Sequence, residues 1–237
     1  MTTGTIALVG SGEFLPPIQP LDKQLLELVQ DTPRVVVLPT ASAPDGGGVP
    51  ERWATMGAAH FGTLGAQVDP VMLLTREDAE NPALVERIAR ANFVYFSGGK
   101  PRYLLETLQG TAAWAAIETI YNNGGVVAGC SAGAMVMGAA LLNFPKSWQT
   151  IPALGLAPGL MIIPHFDEIP KVMLVTLNLN HTNRDTTVVG VDGSTALVGS
   201  EGSWTVYGRG SVTVFEGKEK IRYSEGQQVR LALPPPA

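Results

Sequence analysis

The sequence predicts an α/β fold in which a mainly parallel sheet carries helices on both faces and an antiparallel β meander follows toward the C-terminus. Short apolar runs bounded by Gly, Pro or polar residues are typical of buried parallel strands. Helical stretches separate these runs, and the chain after about residue 185 consists of β-branched runs separated by glycine-containing turns. The apolar runs occupy residues 6–9, 35–38, 71–74 and 93–96.

Helices are predicted where apolar residues recur at three- and four-residue spacing. Because these stretches alternate with the strands, a mainly parallel sheet covered on both faces is expected. After about residue 185, runs such as 195–200 and 203–208 have the length and spacing of antiparallel hairpin strands. The predicted helices lie at residues 21–29, 51–61, 83–91, 104–108 and 112–121.

Composition limits the class of protein. The chain has 237 residues, of which 45% are hydrophobic and 16% charged, so it can form a large core, and one domain over residues 1–237 is expected. With 16 Lys and Arg against 21 Asp and Glu, the net charge is −5, and no basic stripe offers a nucleic-acid surface.

Features of localisation point to the cytoplasm. The one cysteine, Cys130, cannot form an intramolecular disulfide, which fits a reducing compartment and excludes a cysteine-rich zinc site. The N-terminus lacks a basic region and is expected to form a strand rather than a signal peptide. No apolar stretch reaches the roughly 18 residues of a membrane helix, so no membrane partner is expected.

The segment Gly-Cys-Ser-Ala-Gly at residues 129–133 follows a buried strand and leads into an apolar stretch, predicted to be a helix over 135–142. This is the arrangement of a nucleophile elbow, in which small residues two places before and after the serine let strand and helix approach. Ser131 is the expected nucleophile, and the amide of Ala132 at the helix N-terminus is the first oxyanion donor. The alternative is a plain turn capped by Ser131. Cys130, one place away, is expected to point into the core.

A second turn, Ser97-Gly98-Gly99-Lys100, follows the predicted strand at residues 93–96. The carboxyl ends of parallel strands are where open α/β sheets bind ligands. Adjacent glycines leave backbone N–H groups uncovered, so Gly98 or Gly99 is expected to give the second oxyanion donor. A plain strand-to-helix turn is the alternative.

A serine nucleophile needs a base, and the chain has three histidines. His165 directly follows the apolar run 160–164, so it should stand at a strand end, and it is the expected base. His60 lies on the apolar side of a predicted helix and is expected to be a packed or surface residue. His181 resembles a residue at a helix terminus.

Chain order separates two classes of serine hydrolase. An α/β-hydrolase places its acid between the serine and the histidine, yet no Asp or Glu lies between Ser131 and His165. That class would therefore need His181 as base with Asp167 or Glu168, a crowded arrangement. The residues favour Ser131 and His165 with an acid that comes later in the chain.

Three carboxylates could supply that acid. Asp192, at the end of the predicted strand 187–191, is the best candidate to orient the base. Asp167 and Glu168 are closer to the histidine in sequence, but their geometry is less favourable.

These motifs together resemble the serine peptidase family of dipeptidase E (aspartyl dipeptidase) and cyanophycinase, whose fold is similar to class I glutamine amidotransferase domains. The resemblance implies Ser131 as nucleophile and His165 as base, with oxyanion donors around Gly98, Gly99 and Ala132. It covers nearly the whole chain, and the matching segments are residues 7–13, 36–42, 96–99, 128–134, 155–160, 165–166 and 191–197.

The resemblance implies acyl transfer on a short peptide or isopeptide with an acidic, Asp-type residue at the scissile bond. No metal or organic cofactor is expected, and the protein is expected to be a monomer or homodimer. Lys100 is the chosen residue for binding a substrate carboxylate, and the other cations considered are Arg102, Lys146 and Lys171.

Three departures from the family pattern bear on function. Cyanophycinases carry a Gln just after the paired glycines and arginines after the His-Phe pair, where this chain has Lys100 and residues 167–171. These differences argue against cyanophycin itself as the substrate. The family often has a Glu beside the acid, where this chain has Gly193. A non-catalytic binding protein with a degenerate triad and a serine esterase are therefore the alternative functions.

Overall fold

The computed structural model describes residues 3–142, 149–170, 186–216 and 219–231. Within these residues the strands form an eight-stranded sheet, a four-stranded sheet and a two-stranded ribbon. The strands are β1 (Thr5–Val9), β2 (Arg34–Leu38), β3 (Gln67–Pro70), β4 (Phe93–Phe96), β5 (Val126–Cys130), β6 (Ala140–Leu142), β7 (Thr150–Pro152), β8 (Leu160–Pro164), β9 (Thr187–Val191), β10 (Thr195–Ser200), β11 (Ser203–Gly208), β12 (Ser211–Glu216), β13 (Glu219–Ser224) and β14 (Gln228–Arg230).

The helices of the described residues connect the first strands and follow the nucleophile turn. They are α1 (Gln19–Glu27), α2 (Val49–Thr63), α3 (Pro82–Ala89), α4 (Pro101–Leu108), α5 (Ala112–Asn122) and α6 (Ala132–Met137). Short 3₁₀ helices occupy Pro16–Ile18, Thr40–Asp45 and Asp78–Glu80. Each helix in this part of the chain is too short or too polar to cross a lipid bilayer.

The large sheet has the strand order β14-β11-β10-β1-β5-β4-β2-β3, in which β1, β5, β4, β2 and β3 run parallel. This arrangement confirms the predicted α/β fold. The third strand was predicted over 71–74, which is wrong, since β3 ends at Pro70. Val71 and Leu73 are apolar because they are fully buried beside the end of β2, where the Val71 N–H donates to the Val37 carbonyl at 3.0 Å.

Two apolar cores cover the faces of this sheet. Alternate residues of β1 belong to different cores, because successive side chains of a strand point to opposite faces. Ala7 and Val9 pack in the core beneath α1 and α2, whereas Ile6 and Leu8 pack in the core beneath α3 to α6. Helices therefore lie on both faces, as the alternation of strands and helices predicted.

The C-terminal strands pair antiparallel to one another, as predicted, but they divide between two sheets. Strands β10, β11 and β14 extend the large sheet, whereas β9, β12 and β13 join β8 in the order β13-β12-β9-β8. The β8–β9 pair is parallel, with Pro164 opposite Val191. The chain crosses between the two sheets at the short turns after β9, β11 and β13. This second sheet brings the end of β8 beside the end of β5.

The apolar stretch after the nucleophile turn is only partly helical. Helix α6 ends at Met137, whereas a helix was predicted through residue 142. Gly138 has an extended backbone, and Ala140–Leu142 form β6, which pairs antiparallel with β7. The residues remain buried or half-buried in the strand, so their apolar character fits either structure.

Candidate active site

Ser131 occupies a strained turn between β5 and α6. Its φ of 51° and ψ of −109° lie in a region that residues other than glycine rarely adopt, and this backbone conformation costs about 1–3 kcal/mol. A Cβ atom at Gly129 would lie 2.5 Å from the carbonyl carbon of Gly133, and one at Gly133 would lie 2.7 Å from the Cβ of Phe96. Glycine at both positions therefore allows the strand and the helix to meet at the serine.

The structure brings His165 to this serine. The Oγ of Ser131 lies 2.7 Å from the Nε2 of His165, within hydrogen-bond distance. His165 directly follows β8 and has a φ of 140°, so its backbone is also in a region unusual for a side-chain-bearing residue. The imidazole is half-exposed, and the pair can therefore meet a substrate from solvent.

Packing of the next residue fixes the position of His165. The Phe166 N–H donates to the carbonyl of Val191 at 3.1 Å. The Phe166 ring lies directly over Gly190, where any side chain would collide with it, and meets Phe215 edge to face at 5.6 Å between centroids. The His-Phe pair thus combines a half-exposed imidazole with a partly buried ring that packs against the second sheet.

The carboxylate beside the imidazole is that of Glu168. Its Oε2 lies 3.5 Å from the Nδ1 of His165, and its backbone N–H donates to the His165 carbonyl at 3.1 Å, which closes a turn. From the sequence, Glu168 ranked below Asp192 because the geometry expected for so near a neighbour of His165 was less favourable. The available signal was the three-residue spacing, which lets one turn place an acid over the second ring nitrogen.

Asp192, the predicted orienting acid, has other partners. Its buried carboxylate accepts hydrogen bonds from the Ser211 N–H at 2.9 Å and from the Arg222 guanidinium at 3.1 Å. Burial raises the pKa of Asp192, although both bonds oppose that rise. The carboxylate of Asp167 accepts from the Gly193 N–H at 2.8 Å. In place of Asp192, the structure therefore puts Glu168 next to the base.

The predicted oxyanion donors differ in availability. The Gly98 N–H already donates to the Oε1 of Glu13 at 2.8 Å. The Gly99 N–H has no hydrogen-bond acceptor within the described residues. Gly99 has a φ of 143°, a backbone conformation that favours glycine. Ala132 is the first residue of α6, where a backbone N–H has no acceptor within the helix. Among the predicted donors, Gly99 and Ala132 are thus the residues whose N–H groups can still bind a substrate oxygen.

Cys130 is fully buried and does not face the substrate side. Its thiol donates to the Oε2 of Glu13 at 3.0 Å. Burial, together with the nearby carboxylate of Glu13, raises the pKa of the Cys130 thiol well above its usual range, so it remains protonated. Glu13 was assigned no role from the sequence, although its place on the loop after β1, at the carboxyl edge of a parallel sheet, could have indicated one.

The candidate substrate cations lie at the surface. Lys100 directly follows the glycine turn, and its Nζ lies 3.5 Å from the Oδ1 of Asp45. Arg102 pairs with Glu106 one helical turn away. Three residues considered from the sequence lie outside the described residues, namely Lys146, Lys171 and His181.

The third histidine, His60, is buried in α2. Its Nε2 lies 2.7 Å from the Oδ2 of Asp22 in α1, which joins the two helices on one face of the sheet. The described part of the chain contains no group of three His, Cys, Asp or Glu placed to hold a metal ion.

Comparison with known proteins gives consistent matches. The model of peptidase family S51 matches residues 6–207. Cyanophycinases from Synechococcus elongatus and Thermosynechococcus vestitus are each 25% identical over 163 residues, covering 65% of this chain and 50% of the relative. This chain therefore spans about half the length of those relatives.

Solved structures match over more of the chain. A peptidase from an acI-B1 Actinobacterium is 33% identical, with 97% of both chains covered and a TM-score of 0.87. A peptidase E protein from Listeria monocytogenes EGD-e shares the fold at 17% identity, with 98% of this chain and 100% of that chain covered and a TM-score of 0.59.

Proposed function

The chain belongs to peptidase family S51, and we propose that it hydrolyses short peptides or isopeptides through an acyl-enzyme on Ser131. The observation that carries the proposal is the 2.7 Å distance between the Ser131 Oγ, held in a strained elbow, and the His165 Nε2. A nucleophile within hydrogen-bond reach of a base, with that base oriented by a third group, has the geometry of covalent catalysis.

Glu168 orients the imidazole of His165. A proton on Nδ1 of His165 faces the carboxylate of Glu168, which leaves the lone pair of Nε2 directed at the Ser131 hydroxyl. The hydroxyl donates its proton to Nε2 as the Oγ attacks the substrate carbonyl carbon. The resulting imidazolium is stabilised by the negative charge of Glu168.

Two backbone N–H groups receive the charge that develops on the substrate oxygen. Ala132 directly follows Ser131, and Gly99 directly follows Gly98, where an added Cβ would lie 3.4 Å from the Cβ of Ser131. Each donor of this kind contributes about 10²–10³-fold to kcat. The tetrahedral intermediate collapses when the C–N bond breaks and His165 gives its proton to the leaving amine. Water, deprotonated by the same imidazole, then releases the acyl group and restores Ser131.

The proposed substrate carries an acidic, Asp-type residue at the scissile bond, as the family resemblance implies. The protein has a net charge of −5, so an acidic substrate needs a local cation. Lys100 supports this role because it directly follows Gly99 in the glycine turn, and Asp45 holds its ammonium only at 3.5 Å, near solvent. A substrate carboxylate can replace Asp45 as its partner.

The experiment is mass-spectrometric hydrolysis of a dipeptide and isopeptide panel enriched in Asp, with wild type, Ser131→Ala and Lys100→Ala. Ser203→Ala, which removes an exposed hydroxyl from β11, is the matched control. We expect loss of all cleavage, and of labelling by a serine-directed phosphonate, only in Ser131→Ala.

Lys100→Ala should raise KM several-fold for acidic members of the panel alone. Cleavage by Ser131→Ala at the wild-type rate would overturn the proposal. Turnover of esters without turnover of amides would instead favour the esterase alternative.

A further inference from the structure

Glu13 is a buried carboxylate on the loop that follows β1. The loop is fixed by its neighbour Phe14, which has a φ of 62° and inserts its ring among those of Trp53, Phe61 and Tyr95. The Leu15 N–H donates to the Gly12 carbonyl at 3.2 Å, which closes the turn. The carboxylate therefore has a defined place beneath the active site.

Its two oxygens bind to two different parts of that site. Oε1 accepts from the Gly98 N–H at 2.8 Å, and Oε2 accepts from the Cys130 thiol at 3.0 Å. Gly98 precedes the donor Gly99 on the turn after β4, and Cys130 precedes the nucleophile on β5. One side chain thus joins the oxyanion turn to the nucleophile strand.

The space around this junction is closed. A Cβ atom at Gly98 would lie 2.7 Å from the Oε1 of Glu13 and 3.4 Å from the Cβ of Ser131. Burial protects both hydrogen bonds of Glu13 from competition by water. The Gly98 N–H donates to Glu13, which anchors the turn on one side of the peptide unit that carries the Gly99 N–H. On the other side, the Lys100 N–H donates to the Ala41 carbonyl at 2.7 Å.

We propose that Glu13 is a positioning residue that holds the Gly99 N–H in line with the oxyanion formed at Ser131. This inference rests on the proposed peptidase function and assigns it an additional residue. Glu13 contacts neither substrate nor reacting atoms, and it acts through the turn at Gly98 and the strand end at Cys130. Its effect should therefore appear in the transition state rather than in substrate binding.

The test compares Glu13→Ala, Glu13→Asp and Glu13→Gln with wild type. The Asp side chain keeps the charge but is one methylene too short to reach both partners. The Gln side chain keeps an oxygen for the Gly98 N–H and turns its amide nitrogen toward Cys130. We expect Ala and Asp to lower kcat by about 10–100-fold with KM within about threefold, and Gln to stay within about threefold of wild type.

Inhibition by a peptide boronic acid separates a positioning role of Glu13 from a purely structural one, because a purely structural role would leave the inhibition constant unchanged. It forms a tetrahedral adduct with the serine, so its inhibition constant should rise in Glu13→Ala and Glu13→Asp by the same factor as kcat/KM falls. Asp22→Ala is the matched control, because Asp22 is a buried carboxylate that contacts His60 instead of either turn. It should lower the melting temperature while kcat and the inhibition constant remain those of wild type.

Cys130→Ala keeps the test available if the shortened Glu13 variants do not fold. It frees one carboxylate oxygen, and kcat should fall a few-fold with a matching loss of boronate affinity. Wild-type kcat and boronate affinity in Cys130→Ala, or in either shortened variant, would overturn the inference while Ser131→Ala remains inactive. A wild-type protein that neither cleaves peptides nor reacts with the phosphonate would overturn the proposed function, and this inference with it.

Discussion

Two histidine–carboxylate pairs lie within the part of the chain that the structure describes, and the shorter pair is not the one in the candidate active site. His60 and Asp22 lie 2.7 Å apart with side chains 6% and 0% exposed. His165 and Glu168 lie 3.5 Å apart with side chains 43% and 63% exposed. The shorter and more buried pair, His60 and Asp22, joins two helices, whereas the longer and more exposed pair, His165 and Glu168, lies beside a serine hydroxyl.

The surroundings decide these different roles. The ring of His60 packs against Phe14 and Phe61 at centroid distances of 5.8 Å and 5.1 Å, so no substrate can approach it. The ring of His165 follows a parallel strand at its carboxyl end and offers its second nitrogen to Ser131. The short hydrogen bond of His60 therefore reflects close packing, whereas a catalytic base needs one ring nitrogen that a nucleophile and a substrate can reach.

The largest difference between the two pairs should appear when each imidazole is removed in turn. His165→Ala should lower kcat/KM by 10⁴-fold or more, because the nucleophile loses its base, and should leave the melting temperature nearly unchanged. His60→Ala should lower the free energy of unfolding by about 3 kcal/mol, because Asp22 is left buried without its partner. Its kcat should remain within about threefold of wild type. A large fall in kcat for folded His60→Ala would contradict the separation of roles.

A smaller effect is expected at the carboxylates. Glu168→Gln removes the charge beside the imidazolium and should lower kcat by about 100-fold. Asp192→Asn is the matched change at the acid predicted from the sequence, and its amide oxygen can still accept from the Ser211 N–H. It should change kcat by less than about threefold. Steady-state kinetics that show the larger loss in Asp192→Asn would return the orienting role to Asp192.

The smallest effect concerns the pH dependence of stability. Burial raises the pKa of Asp22 above its ordinary value, although the hydrogen bond from His60 opposes the rise. A carboxyl group with a higher pKa in the folded chain stabilises the fold while protonated, and it loses that contribution as pH rises through the folded pKa.

Denaturant unfolding of wild type and Asp22→Asn measures this dependence. The free energy of unfolding of wild type minus that of the variant should fall as pH increases from about 4, the ordinary pKa of an Asp side chain. A difference that grows over this range would contradict the assignment.

The sequence was informative where one local pattern determines the structure. Gly129 and Gly133 predicted the elbow because only glycine allows the close approach of strand and helix found there. The apolar run before His165 predicted its place at a strand end. Both predictions depend on residues that are neighbours in the chain.

The sequence was less informative where distant residues compete for one partner. Whether Asp192 reaches a histidine depends on Ser211 and Arg222, which lie on strands of the second sheet. The Gly98 amide is likewise occupied by Glu13, 85 residues away in the chain. Such pairings follow from the packing of the sheets and have no signature in local spacing.

Ser131 and His165 stand on different sheets. Ser131 follows β5 of the eight-stranded sheet, whereas His165 follows β8 of the four-stranded sheet. The distance between the serine hydroxyl and the imidazole therefore depends on how the two sheets pack against each other. We expect denaturant to abolish hydrolysis as soon as it loosens that packing, before the larger sheet unfolds.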